Sequence, residues 1–125
     1  MFRTFFIWGS ISAFLSVVLG AFGAHALDLP ERYAATYQTG VEYHMAHSLA
    51  LLLTAFASER LGSPNRVRWA GRLFLAGIVL FSGNLYVLSV TGLSWLGAVV
   101  PLGGASFLAG WLLLAAAAWG SSGRK

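Results

Sequence analysis

Cysteine is absent from the 125-residue chain, so disulfides, thiolate metal centres and thiol nucleophiles are excluded. Charge is scarce as well. Only 10% of the residues are Asp, Glu, Lys or Arg, against about 25% in an ordinary soluble domain, too few to cover a globular surface with polar groups. No Ser-His-Asp arrangement, carboxylate pair or phosphate-binding glycine loop is present. These absences favour a protein that is not an enzyme and needs no cofactor.

What the chain does have is apolar length. Hydrophobic residues make up 58% of it, and a bilayer-spanning helix needs about 20 of them. Four spans with short loops use nearly the whole chain, so residues 1–125 are expected to form a single transmembrane domain. The expected fold is all-α: a polytopic four-transmembrane-helix bundle. The first uncharged run, Phe5 to Leu27, is too long for a signal-peptide core despite its Ala24-His25-Ala26 ending, and reads as a retained helix over about 4–27. Pro30 and Gly40 punctuate the next segment, whose middle (Glu31 to Thr39) can form a short interfacial helix. A second span follows at about 39–58. Its charge-free core between Glu42 and Glu59 is 16 residues, about 24 Å, short of a hydrocarbon layer of about 30 Å. Gly62-Ser63-Pro64-Asn65 forms a loop, and positions 73–123 are then 51 uncharged residues. Thr91-Gly92-Leu93-Ser94 divides them into spans at about 69–90 and 95–119, the last with Pro101 as a kink near its outer end.

The basic residues set an orientation. Arg3, Arg60, Arg66, Arg68, Arg72, Arg124 and Lys125 fall on one side and Arg32 alone on the other, so the positive-inside rule puts both termini in the cytoplasm (N-in/C-in). Trp69 and Trp119 then mark the inner interface and Trp95 the outer one. The net charge of +4 sits at the ends of apolar runs rather than along a polar face, which excludes nucleic acid as a partner and leaves membrane lipid, a protein partner or a second copy. Ser12, Ser16, Gly20 and Ala24 recur every four residues on the first helix, and Gly103, Ser106 and Gly110 share a face of the last. Small residues of this kind let helix backbones approach in lipid.

Intramembrane polar residues are costly and ask for a reason. Placed at their expected depths, His25, Glu42, His44, His47, Ser82, Asn84 and Tyr86 form one layer in the outer half of the bundle. Glu42 is about 5 Å inside the outer edge and His47 about 12 Å. The leading reading is structural: the histidines His25, His44 and His47 with Asn84 and Tyr86 bond across helices and fix their register, and the polar layer of His25, Glu42, His47, Asn84 and Tyr86 is the candidate place for a lipid or partner helix. Small-solute or proton transport through the same layer is an alternative, although the inner half offers no continuation. A haem or metal site is a third, with His25, His44 and His47 as the candidate ligands.

Four segments taken together resemble a known family: Leu19-Gly20-Ala21-Phe22-Gly23-Ala24-His25, Gln38-Thr39-Gly40 with Glu42-Tyr43 and His47, Phe81-Ser82-Gly83-Asn84-Leu85-Tyr86, and Pro101-Leu102-Gly103-Gly104 with Gly110-Trp111. They are similar to the YgdD-like small inner-membrane proteins (UPF0382 type, domain of unknown function 423). The resemblance covers essentially the whole chain. It implies a bacterial inner-membrane location and four helices, and carries no established activity. His25, Gln38, Gly40, Tyr43, His47, Ser82, Gly83, Tyr86, Pro101 and Gly104 match its pattern. Asn84 and His44 depart from it, since serine and glutamine are more usual there, and a His44–His47 metal pair is therefore not a shared function of the family.

Overall fold

A computed structural model describes residues 1–120; the basic tail residues Arg124 and Lys125 lie outside them. The described chain forms α1 (Phe2–His25), α2 (Glu31–Arg60), α3 (Pro64–Gly77), a π-helical segment (Ile78–Gly83), α4 (Asn84–Thr91), a 3-10 turn (Ser94–Ala98) and α5 (Val100–Gly120). The π segment joins α3 and α4 into one rod, so the elements pack as four helices. Three of them, Phe2–His25, Pro64–Thr91 and Ser94–Gly120, are long and apolar enough to cross a membrane. Their outward faces are hydrocarbon: Leu108, Leu112 and Val79 are about 70% exposed, as expected where lipid is the solvent.

The least apolar helix is the most enclosed. α2 lies between α1 and the α3–α4 rod, and α5 packs on α3. Nine α2 residues are buried, among them His44, His47, Ser48 and Thr54. It also differs from the expected element. The Glu31–Thr39 segment is not a separate interfacial helix but the first turns of a continuous α2 of 30 residues, about 45 Å long. Nothing interrupts it, because Gly40 sits inside the helix where its missing side chain makes room for the Tyr86 ring, which would lie only 3.0 Å from an added Cβ.

Helix ends follow local chemistry. Ser63 precedes α3 and Pro64 occupies its first turn, where no backbone donor is needed. Gly92 closes α4 in the left-handed region (φ 72°) and donates its N–H to Leu88 O. Pro101 does not kink a helix. A 3-10 turn precedes it, and it stands second in α5, where proline replaces a donor that has no partner. Two buried hydroxyls bond back to their own helix, Thr54 to Ala50 O and Ser89 to Leu85 O, so neither is left bare.

The small-residue faces pack where backbones meet. On α1, Ser12 and Ser16 are buried against α2 and Gly20 lies against Val41. Ala24 is exposed and Gly23 takes its place under the Tyr37 ring. A four-residue repeat drifts about 40° per step on a 3.6-residue helix, which carries Ala24 off the interface. On α5, Gly103 meets the backbone of Leu80 and Phe81, Ser106 donates to Leu73 O at 2.6 Å, and Gly110 lies on Phe74. The core beneath is Phe5, Leu51, Phe74 and Phe107 with alanines between them.

The two neighbouring glycines of α5 give a direct test. A methyl at position 103 strikes the π-segment backbone, whereas one at 104 meets the Phe81 ring at an ordinary 3.9 Å. Gly103→Ala is expected to cost about 1–3 kcal/mol and Gly104→Ala to leave thermal unfolding in detergent unchanged, as followed by circular dichroism.

Candidate functional site

The polar residues do not form one connected network. They divide into two networks on different sides of α2, with the remainder outside both. The first joins three helices. Tyr86 Oη lies 2.8 Å from His44 Nδ1, His44 Nε2 lies 3.1 Å from Ser12 Oγ, and Ser12 Oγ lies 2.6 Å from Ser48 Oγ. Ser48 in turn donates to His44 O at 2.7 Å.

Counting hydrogens orders this chain. The Ser48 hydrogen is committed to the carbonyl, so Ser12 must supply the one between the serines. Ser12 is then the acceptor toward His44, whose Nε2 carries the proton. In the neutral ring His44 Nδ1 keeps its lone pair and Tyr86 donates to it at 2.8 Å. Both ring nitrogens are occupied.

The second network is equally determined. Trp111 Nε1 can only donate, and it does so to His47 Nε2 at 3.0 Å. The His47 proton is therefore on Nδ1, which donates to Tyr43 O at 2.9 Å. The His47 ring also stacks on Phe107 at a centroid separation of 3.5 Å, with Phe74 tilted and Trp111 edge-on beside it. His47 thus ties α2 to α5 while His44 ties it to α1 and α4. Although the two lie three residues apart, they face different neighbours.

The other expected members lie elsewhere. His25 is exposed on the last turn of α1, thirteen residues from Ser12, or about 20 Å along the axis. It does not approach His44 or His47, whose lone pairs are already used. Glu42 is exposed on α2. Asn84 donates to Leu80 O of its own rod at 2.6 Å. Ser82 is fully buried, and its hydroxyl has no hydrogen-bond partner among the described residues. Ser12, Ser48 and Trp111 belong to the networks and were not expected there. The four-residue spacing of Ser12 on α1 and the place of Trp111 in the Gly110-Trp111 segment of the family resemblance were signals for two of them, and both also fit plain packing.

Beside the first network, α1 and the α3–π rod separate to leave a groove of about 310 Å³. Trp8, Ile11, Leu15, Leu75, Ile78 and Val79 form its walls, and Ser12, His44 and Tyr86 line its base. The polar atoms at the base are turned into their own hydrogen bonds, so the groove presents almost nothing but hydrocarbon.

Apolar outward faces, inward-closed polar networks and an open apolar groove define an all-helical, multi-pass membrane protein. The chain belongs to the family described as "Protein of unknown function (DUF423)", whose model matches residues 19–104. It is 50% identical to the UPF0382 membrane protein YwdK of Bacillus subtilis over 118 residues, covering 93% of this chain and 96% of that one. It is 43% identical to the UPF0382 inner membrane protein YgdD of Escherichia coli K12 over 114 residues, covering 90% and 86%. With the UPF0382 membrane protein SH2409 of Staphylococcus haemolyticus it shares 41% over 114 residues, covering 90% and 92%. No solved structure matches the chain.

If the histidine networks are separate, their losses must add. Tyr86→Phe and Trp111→Phe are each expected to cost about 0.5–2 kcal/mol, and the double variant their sum within about 0.5 kcal/mol. Chemical unfolding in mixed micelles measures this; a coupling above about 1 kcal/mol would show a single shared layer.

Proposed function

We propose that this protein is a four-span accessory protein of the bacterial inner membrane, with both termini in the cytoplasm, and that its lateral groove holds an alkyl chain of a membrane lipid. The observation that carries the reading is the groove beside the His44 network. Its base is polar in composition but closed in hydrogen bonding, so a hydrocarbon chain fits it and a polar solute does not. The networks then act as register pins that keep the groove walls apart.

Several features support four spans. α2 is enclosed by helices that are themselves apolar enough to cross, and the two networks shelter its polar residues. Met1 and Thr4 lie beside Arg68 and Arg72, and Gly120 lies beside Arg66. Both ends of the described chain therefore share the basic end of the molecule, which the positive-inside rule assigns to the cytoplasm. A transporter or channel needs a polar path along the bundle. Both networks instead end on α2 carbonyls, those of His44 and Tyr43, which favours the accessory role.

The chain contains no cysteine, so single-cysteine variants carry no background. An impermeant maleimide added to intact cells is expected to label Glu31→Cys and Leu93→Cys, and Arg60→Cys only after permeabilisation. The reverse pattern would invert the topology, and labelling of all three from outside would remove the crossings between them.

Groove occupancy has its own readout. Native mass spectrometry of detergent-extracted protein is expected to show retained phospholipid, reduced in Val79→Trp, which fills the groove from an exposed position. A bare wild-type monomer would overturn the lipid reading.

A further inference from the structure

We propose that a second cleft, between the first turn of α1 and α3, holds the phosphate of an anionic phospholipid of the cytoplasmic leaflet; the leaflet assignment rests on the topology proposed above. The cleft measures about 250 Å³ and is lined by Met1, Thr4, Phe5, Arg68 and Arg72. Arg68 and Arg72 are one turn apart on α3 and so share a face. Below them the Phe5 ring sits on Gly71, where any side chain would displace it. The cleft therefore has two guanidinium groups at its rim and an aromatic ring at its floor.

The charge in it is uncompensated. Arg68 uses one N–H on Asn65 Oδ1 at 3.2 Å. Arg72 lies over the Trp69 ring at 4.9 Å, which occupies its face and leaves its donor edge free. Among the described residues neither pairs with a carboxylate. Arg66 differs, because it donates to Ala116 O at 2.8 Å and lies against α5. Among the described residues, Arg3, Arg60, Arg66, Arg68 and Arg72 stand at this end against Glu59 alone.

Guanidinium groups in a concave site match phosphate oxygens in charge and geometry. A basic pocket between helices at the cytoplasmic edge is where an anionic headgroup is held. A lipid rather than a free phosphate fits because the floor is Phe5 and because Trp69, half exposed, marks the interface at this depth. A zwitterionic headgroup would bring its own cation against the arginines.

The test uses the full chain in a mild non-ionic detergent, titrated with dioleoyl phosphatidylglycerol, dioleoyl phosphatidylcholine or inorganic phosphate and read by native mass spectrometry. Wild type is expected to bind phosphatidylglycerol at least tenfold more tightly than phosphatidylcholine, with phosphate unable to displace it. R68Q/R72Q should bring the two lipids level, whereas R3Q/R60Q, the same charge change at the same end, should keep the preference. Equal binding of both lipids by wild type overturns the proposal, as does a preference that survives R68Q/R72Q or is lost equally in R3Q/R60Q. Displacement by phosphate overturns the lipid assignment. Should R68Q/R72Q fail to fold, Thr4→Glu places a carboxylate at the cleft from an exposed position and must also abolish the preference. Detergent exposes both faces, so this result does not depend on sidedness, and a wrong topology would appear only in the maleimide labelling.

Discussion

The structure depends on the need to satisfy every polar group of α2 away from water. A buried donor or acceptor without a partner costs several kcal/mol in hydrocarbon, and α2 carries two histidines and several hydroxyls in its buried faces. The remedy is geometric. α1 brings Ser12, α4 brings Tyr86 and α5 brings Trp111, and each arrives on the side of α2 where a nitrogen or oxygen needs it. Hydrogen bonds of this kind contribute only about 0.6 kcal/mol each on average. Their larger effect is to make any other arrangement of the four helices leave a polar atom bare.

The π segment is part of the same solution. One extra residue in a helical turn rotates everything after it by about 100°. Ile78–Gly83 therefore gives α4 a different facing from α3, and Tyr86 meets His44 while Phe74 meets His47. The wider turn needs space on its α5 side, and Gly103 provides it by letting the backbones of Leu80 and Phe81 approach. On the opposite side α1 touches α3 where Phe5 covers Gly71, and the groove separates them beyond that contact. The groove is thus a consequence of the register, and the register a consequence of the hydrogen bonds.

Part of this was legible beforehand, for reasons that can be traced to particular residues. The charge-free runs around helices α1, α3–α4 and α5 are long, and hydrocarbon thickness leaves them little alternative to helix. Gly92 marked a chain reversal because only a residue without Cβ adopts its positive φ cheaply. Gly103, Ser106 and Gly110 signalled close backbone contact, which they make with the α3–π rod. The continuity of α2 through Glu31–Thr39 was hidden by Pro30 and Gly40, punctuation marks whose meaning depends on what packs against them. The π segment left no trace, since Ser82-Gly83 reads equally well as a packing pair.

The candidate site was harder. His44, His47 and Tyr86 were recognisable because polar residues in an apolar run must be explained, but residue type and depth do not say which way a ring points. His25 and Glu42 have the same chemistry and lie exposed, and Asn84 bonds within its own rod. Composition and charge placement by themselves determined the solvent, the helical class and the end at which the basic residues gather, because those follow from transfer free energies that act residue by residue. Only the tertiary structure decided that the polar residues form two separate closed networks, that both ring nitrogens of His44 and of His47 are already bonded, and that the base of the groove offers hydrocarbon. Those depend on rotations of one helix against another, and a single residue in the π segment is enough to change them.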